Sequence, residues 1–255
     1  MNLAEQIERE YNEVKENKTD KIIQAKSQNI DSLIDTYARW LGFRETMRFR
    51  DGILVYPANF HQTYSKYLLA FHELQKKKRI HTPSEITLFS MSLKQFENDF
   101  YFNKSGSFLQ ALINRHYAFC KKKKIKTDEY VLMLENLEKN LDHVGYNNNG
   151  ACVRIMGNCG LNLGEDLQKG ELILQGNCGD QVGKNMLGGK ITIFGNAGTN
   201  VGTHMHLGEI HLQGAYDSIA DVPFLINQYY NYGNRKPKIF HKGIQIYPMI
   251  DQVNT

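Results

Sequence analysis

The sequence predicts an α plus β-solenoid protein: a helical domain over residues 1–140, then a β-helical domain over residues 141–255. The latter is read as a short right-handed parallel β-helix of 19-residue coils over 141–214, followed by a capping segment. Three observations carry this prediction. A glycine motif recurs without a gap every 19 residues, strand-like alternation fills the stretches between its copies, and the first half has helical periodicity instead.

The motif reads Gly157-Asn158-Cys159-Gly160-Leu161-Asn162-Leu163-Gly164, then Gly176-Asn177-Cys178-Gly179-Asp180-Gln181-Val182-Gly183, then Gly195-Asn196-Ala197-Gly198-Thr199-Asn200-Val201-Gly202. Gly214 extends the series by one more step of 19. Between the turns lie alternating segments whose inward pairs are Val153/Ile155, Leu172/Leu174, Ile191/Ile193 and Ile210/Leu212. If each coil supplies one rung, equivalent residues stack at about 4.8 Å and each apolar slot becomes a continuous column. Val144, Leu163, Val182 and Val201 form a second column, and Leu167, Met186 and Met205 a third. The glycines suit corners that need positive φ or close backbone approach. Asn158, Asn177 and Asn196 are placed to form a hydrogen-bonded ladder beside them.

The pattern fades at His143-Val144-Gly145 and breaks at Ala215-Tyr216-Asp217. A solenoid exposes hydrogen-bonding edges at its ends. Capping is therefore expected from the preceding helices and from the C-terminal segment carrying Phe224, Tyr229, Tyr230 and residues 244–247.

The triplets Gly157/Gly160/Gly164, Gly176/Gly179/Gly183 and Gly195/Gly198/Gly202 resemble the GXGXG repeat of the C-terminal β-helix in glutamate synthase large subunits and of the β-helical subunit of formylmethanofuran dehydrogenase. The resemblance covers about 75 of the 255 residues. It implies a β-helix that holds catalytic domains or subunits together and supplies none of the principal chemistry. The amidotransferase and flavin-binding domains of a glutamate synthase have no counterpart in residues 1–140, so glutamate synthesis by this chain alone is not expected.

In the N-terminal half, Tyr64, Tyr67, Leu68 and Phe71 fall at helical spacing, as do Ile86, Phe89, Leu93, Phe96 and Phe100. Thr82-Pro83-Ser84-Glu85 is a start signal for the second of these, with Thr82 as N-cap and Glu85 reaching back. Phe108, Leu112, His116 and Phe119 predict another helix, and Tyr130, Leu134, Leu137 and Leu141 a last one. A further helix is expected from Asp31 to Met47. The first 28 residues read as a marginal charged helix, and residues 51–57 as an interruption, either a short extended piece or a buried loop.

Charge separates the halves, with +5 on residues 1–140 and −1 on the remainder of a chain whose net charge is +4. No run approaches the ~18 apolar residues of a membrane span, and the charged start lacks the apolar stretch of a signal peptide. Together with four cysteines that form no CxxC pair, this predicts a cytoplasmic protein.

Two basic runs, Lys76-Lys77-Lys78-Arg79 and Lys121-Lys122-Lys123-Lys124, are the candidate interaction residues. Each ends an amphipathic helix, where the backbone dipole favours cations, so solvated helix ends are preferred over an anionic partner such as nucleic acid. Tyr101, Phe102, Tyr117 and Phe119 could stack bases, but their helical spacing favours core burial for most of them. His204, His206 and His211 share one coil but lack a fourth ligand, so no metal site is assigned, and no cofactor. Cys159 and Cys178 are read as buried reduced thiols in equivalent slots. Glu165 and Asp166 are adjacent carboxylates without an identifiable partner. No nucleophile elbow, phosphate loop or dinucleotide fingerprint occurs in context, and the catalytic residues are left unknown.

The expected function is a non-catalytic scaffold that offers Arg154, Ile173, Thr192 and His211 as an outward column to a protein partner or to a second copy in a homo-oligomer. An accessory subunit of an oxidoreductase or formyl-transfer complex is the alternative. Nucleic-acid binding through the lysine runs comes third.

Overall fold

The computed structural model describes residues 28–42, 49–50, 53–54, 79–99, 102–220 and 236–248, together with Tyr67, Ala70 and Leu74. Its first part contains helix α1 (Gln28–Gly42), a short antiparallel pair β1 (Phe49–Arg50) and β2 (Ile53–Leu54), helix α2 (Pro83–Ser92) and helix α3 (Ser105–Lys123). Seven strands follow: β3 (Tyr130–Met133), β4 (Asn149–Met156), β5 (Lys169–Leu174), β6 (Lys190–Ile193), β7 (Glu209–Leu212), β8 (Lys238–His241) and β9 (Ile244–Tyr247). They form one sheet in chain order, parallel throughout except for the final β8–β9 pair. A parallel sheet in chain order requires every connection to travel around and return beside its own start, which is a β-solenoid.

Register confirms the repeat. Val153 pairs with Leu172, Leu172 with Ile191 and Ile191 with Ile210, each a step of 19. The end coils are longer, since Tyr130 pairs with Val153 and Ile210 with Ile239. All three apolar columns lie inside. Val153, Ile155, Leu172, Leu174, Ile191, Ile193, Ile210 and Leu212 are buried, as are Val144, Leu163, Val182 and Val201, and Leu167, Met186 and Met205. Asn148 takes the slot preceding Leu167 and is also buried; its side chain donates to Ala151 O and accepts from Ala151 N, so the polar group is satisfied inside the stack.

One sequence expectation is overturned. The spacing of Tyr130, Leu134, Leu137 and Leu141 predicts a helix, but residues 130–133 are strand β3, paired in parallel with β4. Four consecutive buried residues carry no alternation, so a strand covered on both faces looks like a helix face. The sheet therefore begins at Tyr130, ahead of the repeat detectable from residue 141.

The helices occupy the end of the solenoid. α2 starts with the expected capping box: Thr82 Oγ1 accepts from Glu85 N at 3.3 Å and Glu85 Oε2 from Thr82 N at 2.9 Å. The heptad-like stripe that predicts a longer helix passes at Leu93 into a 3-10 turn, Leu93–Phe96. Two of the α2 hydroxyls serve β3: Thr87 Oγ1 donates to Val131 O at 2.7 Å and Ser90 Oγ accepts from Met133 N at 2.9 Å. The strand edge is thereby paired with side chains instead of being left open. α3 crosses beneath the first coil, so close that a Cβ on Gly106 would lie 2.2 Å from Asp142 O. Asn114 reaches from α3 to Asn147 O at 2.9 Å. Helices and solenoid share one contiguous apolar core, in which Tyr37, Trp40, Phe89 and Phe108 interlock by ring contacts.

Of the other helix expectations, α1 covers residues 31–42 of the 31–47 span, and α3 contains Phe108, Leu112, His116 and Phe119. Residues 1–27, 43–48, 51–52, 55–57 and the positions of Tyr64, Leu68, Phe71, Phe100, Tyr101, Phe224, Tyr229 and Tyr230 lie outside the described residues. Among the described residues, no helix is long and apolar enough to cross a membrane.

Candidate interaction surface

The outward face of the sheet is organised by the same register as its interior. Arg154, Ile173, Thr192 and His211 stand directly beside one another on successive strands, as the repeat predicts, and the column continues to Val131 at one end and Phe240 at the other. Its members from Arg154 to Phe240 are half-buried. Arg154 Nε donates to Glu129 Oε2 at 2.9 Å, and the His211 ring stacks on Phe240 with centroids 4.5 Å apart. A parallel column runs Glu171, Lys190, Glu209, Lys238 with alternating charge. Lys190 approaches Glu171 at 3.1 Å and Lys238 approaches Glu209 at 3.9 Å. At the exit end of β6, Phe194 is 49% exposed. The face thus combines charge pairs already neutralised within the sheet, aliphatic and aromatic surface, and few unpaired charges, a composition suited to contact with another protein.

The predicted turn residues position this face. Gly164, Gly183 and Gly202 have φ of +70°, +66° and +78°, and Gly157 has +111°. Gly176 and Gly195 lack positive φ; a Cβ there would lie 2.3 Å and 2.5 Å from the carbonyl oxygen of the preceding coil's glycine. Gly160, Gly179 and Gly198 are likewise crowded, Gly160 and Gly198 by the Asp142 and Asp180 side chains. Asn158, Asn177 and Asn196 do form a ladder, but from side chain to backbone. Asn158 Oδ1 accepts from Asn177 N at 2.8 Å, Asn177 Oδ1 from Asn196 N at 2.7 Å, and Asn196 Oδ1 from Ala215 N at 2.9 Å.

Two further slots escape the sequence reading. His143, Asn162, Gln181 and Asn200 all have positive φ, as do Asn147, Asp166, Asn185 and His204, and within each set the step is 19. The signal is present, because Asn and Asp tolerate the left-handed region better than most residues and recur in these positions.

The residue types that carry chemistry are tied into structure. Glu165, without a partner in the sequence reading, is buried and accepts from His143 Nδ1 at 2.7 Å, while Lys184 Nζ lies 3.4 Å from its other oxygen. His143 Nε2 faces Lys104 Nζ at 3.1 Å, and Lys104 pairs with Asp142 at 3.8 Å. Burial raises the Glu165 carboxyl, but the His143 hydrogen bond and the Lys184 ammonium outweigh it and hold the group below its ordinary value. This chain of charges bolts the turn before α3 to the first coils.

All four cysteines are free. Burial pushes Cys178 up to about 12 and Cys152 up to about 11, and it also raises Cys120 and Cys159. These are protonated thiols at neutral pH and poor nucleophiles. His116 Nδ1 meets the Tyr130 hydroxyl at 2.7 Å, where burial lowers the imidazole and raises the phenol. His211 is held by Glu209 at 3.1 Å, and no group of three or more His, Cys, Asp or Glu is placed to hold a metal ion among the described residues.

Of the basic runs, Lys76, Lys77 and Lys78 lie outside the described residues, and Arg79 is engaged by Glu85 at 2.6 Å. Lys121, Lys122, Lys123 and Lys124 are exposed at the end of α3, where Lys124 adopts φ of +57° as the C-cap. Tyr117 is half-buried and packs against Gly150, Phe102 is buried, and Phe119 is 38% exposed. No family model, no curated protein and no solved structure matches this chain.

Proposed function

We propose that the chain is a non-catalytic scaffold, a protein-interaction module built on a right-handed, glutamate-synthase-like GXGXG β-helix, which acts in the cytoplasm and offers its outer sheet face to a partner protein. The single observation behind this reading is the outward column from Arg154 to Phe240, which runs across five adjacent strands and is flanked by charges paired with one another. A rigid parallel stack fixes the spacing of such a column, so a partner meets a preorganised surface. The helical domain then serves to close the solenoid's first edge.

The test is purification of the tagged protein from its native cells at moderate salt, beside an Ile173→Glu/Thr192→Glu variant that keeps the same circular dichroism. A stoichiometric polypeptide present with the natural sequence and absent with the variant is the expected result. An identical set of copurifying proteins would overturn the docking face. Recovery of a flavin-, iron–sulfur- or metal-containing partner would assign the scaffold to an oxidoreductase or formyl-transfer complex, the role that the glycine repeat's resemblance favours.

A second reading, nucleic-acid binding, draws on the exposure of Lys121, Lys122, Lys123 and Lys124 beside Phe119. It requires an affinity that falls steeply with salt. Unchanged affinity after all four lysines become glutamine would sink it.

A further inference from the structure

The outer face of β5 to β8 carries a charge order that is complementary to its own reverse. Successive strands present Glu171, Lys190, Glu209 and Lys238 in one row, each directly beside the next. Lys190 approaches Glu171 and Lys238 approaches Glu209 within the sheet, yet the four side chains remain between 35% and 48% exposed and within reach of a facing surface. Taken in the opposite direction the row runs Lys238, Glu209, Lys190, Glu171, so every position changes sign. A two-fold axis produces that reversal. Turned half a revolution about a line parallel to the strands, a second copy sets each row opposite the same row and inverts the order of the strands.

The position of the axis decides the match. Placed between β6 and β7, it brings Glu171 opposite Lys238 of the second copy and Lys190 opposite Glu209 of the second copy, and symmetry repeats both contacts. Placed on β6, it sets Lys190 against Lys190 of the second copy and Glu171 against Glu209 of the second copy. Placed on β7, it sets Glu209 against itself and Lys190 against Lys238 in the same way. Like charges held together across an interface are costly, so the row selects one register.

The neighbouring rows accept the same axis. It lays Ile173 over Phe240 of the second copy, apolar on apolar, and Thr192 over His211 of the second copy. Phe194, 49% exposed, stands a step of 19 from Gln213, so the Phe194 rings of the two copies flank the axis near the centre of the contact, where buried aromatic residues contribute most. Sheets packed face to face lie about 10 Å apart, a gap that side chains of this length fill.

From this self-complementarity we infer that the occupant of the outer sheet face is a second copy of this chain, packed about a two-fold axis that runs along the strands between β6 and β7. The inference rests on the reading of that face as a docking surface and names its partner.

Sedimentation equilibrium on the purified full chain tests it. A monomer–dimer equilibrium that weakens with added salt is expected, because exposed charge pairs are screened. Lys190→Glu and Glu209→Lys each set like charges opposite one another at two symmetry-related places and should each raise the dimer dissociation constant about tenfold or more. An equimolar mixture of the two variants should recover a dimer of nearly natural strength, since the mixed pair has opposite signs at all four positions. Damage to the fold does not produce such reciprocal rescue, and circular dichroism melting of each variant checks the fold directly. A natural chain that stays monomeric throughout the micromolar range would overturn the inference, as would a dimer that neither variant weakens or a mixture that shows no rescue. The docking face itself is judged separately. A monomeric chain that still retains a different polypeptide from cells, lost in Ile173→Glu/Thr192→Glu, would overturn the second copy and keep the face; a monomeric chain that retains none would overturn both.

Discussion

The solenoid and the helices that close it are stabilised in different ways. In the solenoid a residue's surroundings are set by its slot, so Leu163, Val182 and Val201 meet nearly the same neighbours and are all buried. In the helical part each contact occurs once: the Thr82–Glu85 box, the Thr87 and Ser90 hydroxyls on β3, the Tyr37 hydroxyl bonded to Ser105. The difference teaches where stability can be shared and where it cannot. A stack distributes its stability over equivalent interfaces between neighbouring coils, whereas the first edge depends on a few side chains with no copy elsewhere.

The largest expected effect comes from the stack. Leu172 is fully buried, and its side chain fills the space beside Gly145 and Gly164. Leu172→Ala should cost about 2–5 kcal/mol in urea unfolding. Ile173→Ala, one residue along on the outer face, should cost clearly less. Equal losses would mean that the two faces of β5 are not distinguished as the alternating burial requires.

The charge chain between the regions comes next. Glu165→Gln removes the carboxylate that His143 and Lys184 share, and breaking a buried pair costs about 3–5 kcal/mol; the lower end applies here because Lys184 remains partly exposed. The pH dependence has a definite sign. The folded-state value of Glu165 is depressed, so its contribution is present above the ordinary carboxylate value of the unfolded chain and is lost as pH falls through the lower folded value. The advantage of the natural protein over the variant should therefore shrink in unfolding curves recorded from pH 7 down into the acid range. A constant gap would show that the carboxylate's charge is not what matters.

A smaller and more local effect is expected at the covered edge. Thr87→Val keeps the shape but removes the hydroxyl that donates to Val131 O, leaving a buried carbonyl short of a partner at a cost of about 1–3 kcal/mol. Ser90→Ala does the same to the Met133 N–H. Hydrogen exchange at Met133 should quicken in the Ser90 variant while Ile193, three strands away, keeps its protection. Uniform acceleration across the sheet would indicate that edge and interior open together.

The same contrast explains what is legible in the sequence. Inward columns, turn glycines and the asparagine ladder announce themselves because each occurs several times at one spacing. Strand β3 does not, because its pairing of Tyr130 with Val153 breaks the step of 19 and its four buried residues imitate a helix face. The Glu165 site escapes for another reason. Glu165 and Lys184 occupy the same slot of adjacent coils, which the period alone reveals, but the fold must be known before residues 19 apart are read as neighbours. Cys159 and Cys178 are legible as buried thiols because they share one slot of the repeat with Ala197, an apolar residue.

The smallest effect offers the sharpest comparison. Each of Asn158, Asn177 and Asn196 gives its side-chain oxygen to the backbone N–H of the next coil, at 2.8, 2.7 and 2.9 Å. Replacing any one by alanine removes one exposed hydrogen bond, worth about 0.5–1.5 kcal/mol. Thr82→Ala, which removes an exposed helix cap, should cost about 1 kcal/mol as well. Size therefore does not separate the regions, but pattern does. The three asparagine variants should lower the unfolding free energy by equal amounts, because the slot and not the position along the chain determines the contact. Thr82 has no equivalent with which to compare. Unequal losses, greatest at Asn196 beside the longer last coil, would show that slots at the end of the stack lack the support of those in its middle, and that this solenoid opens from its C-terminal turns.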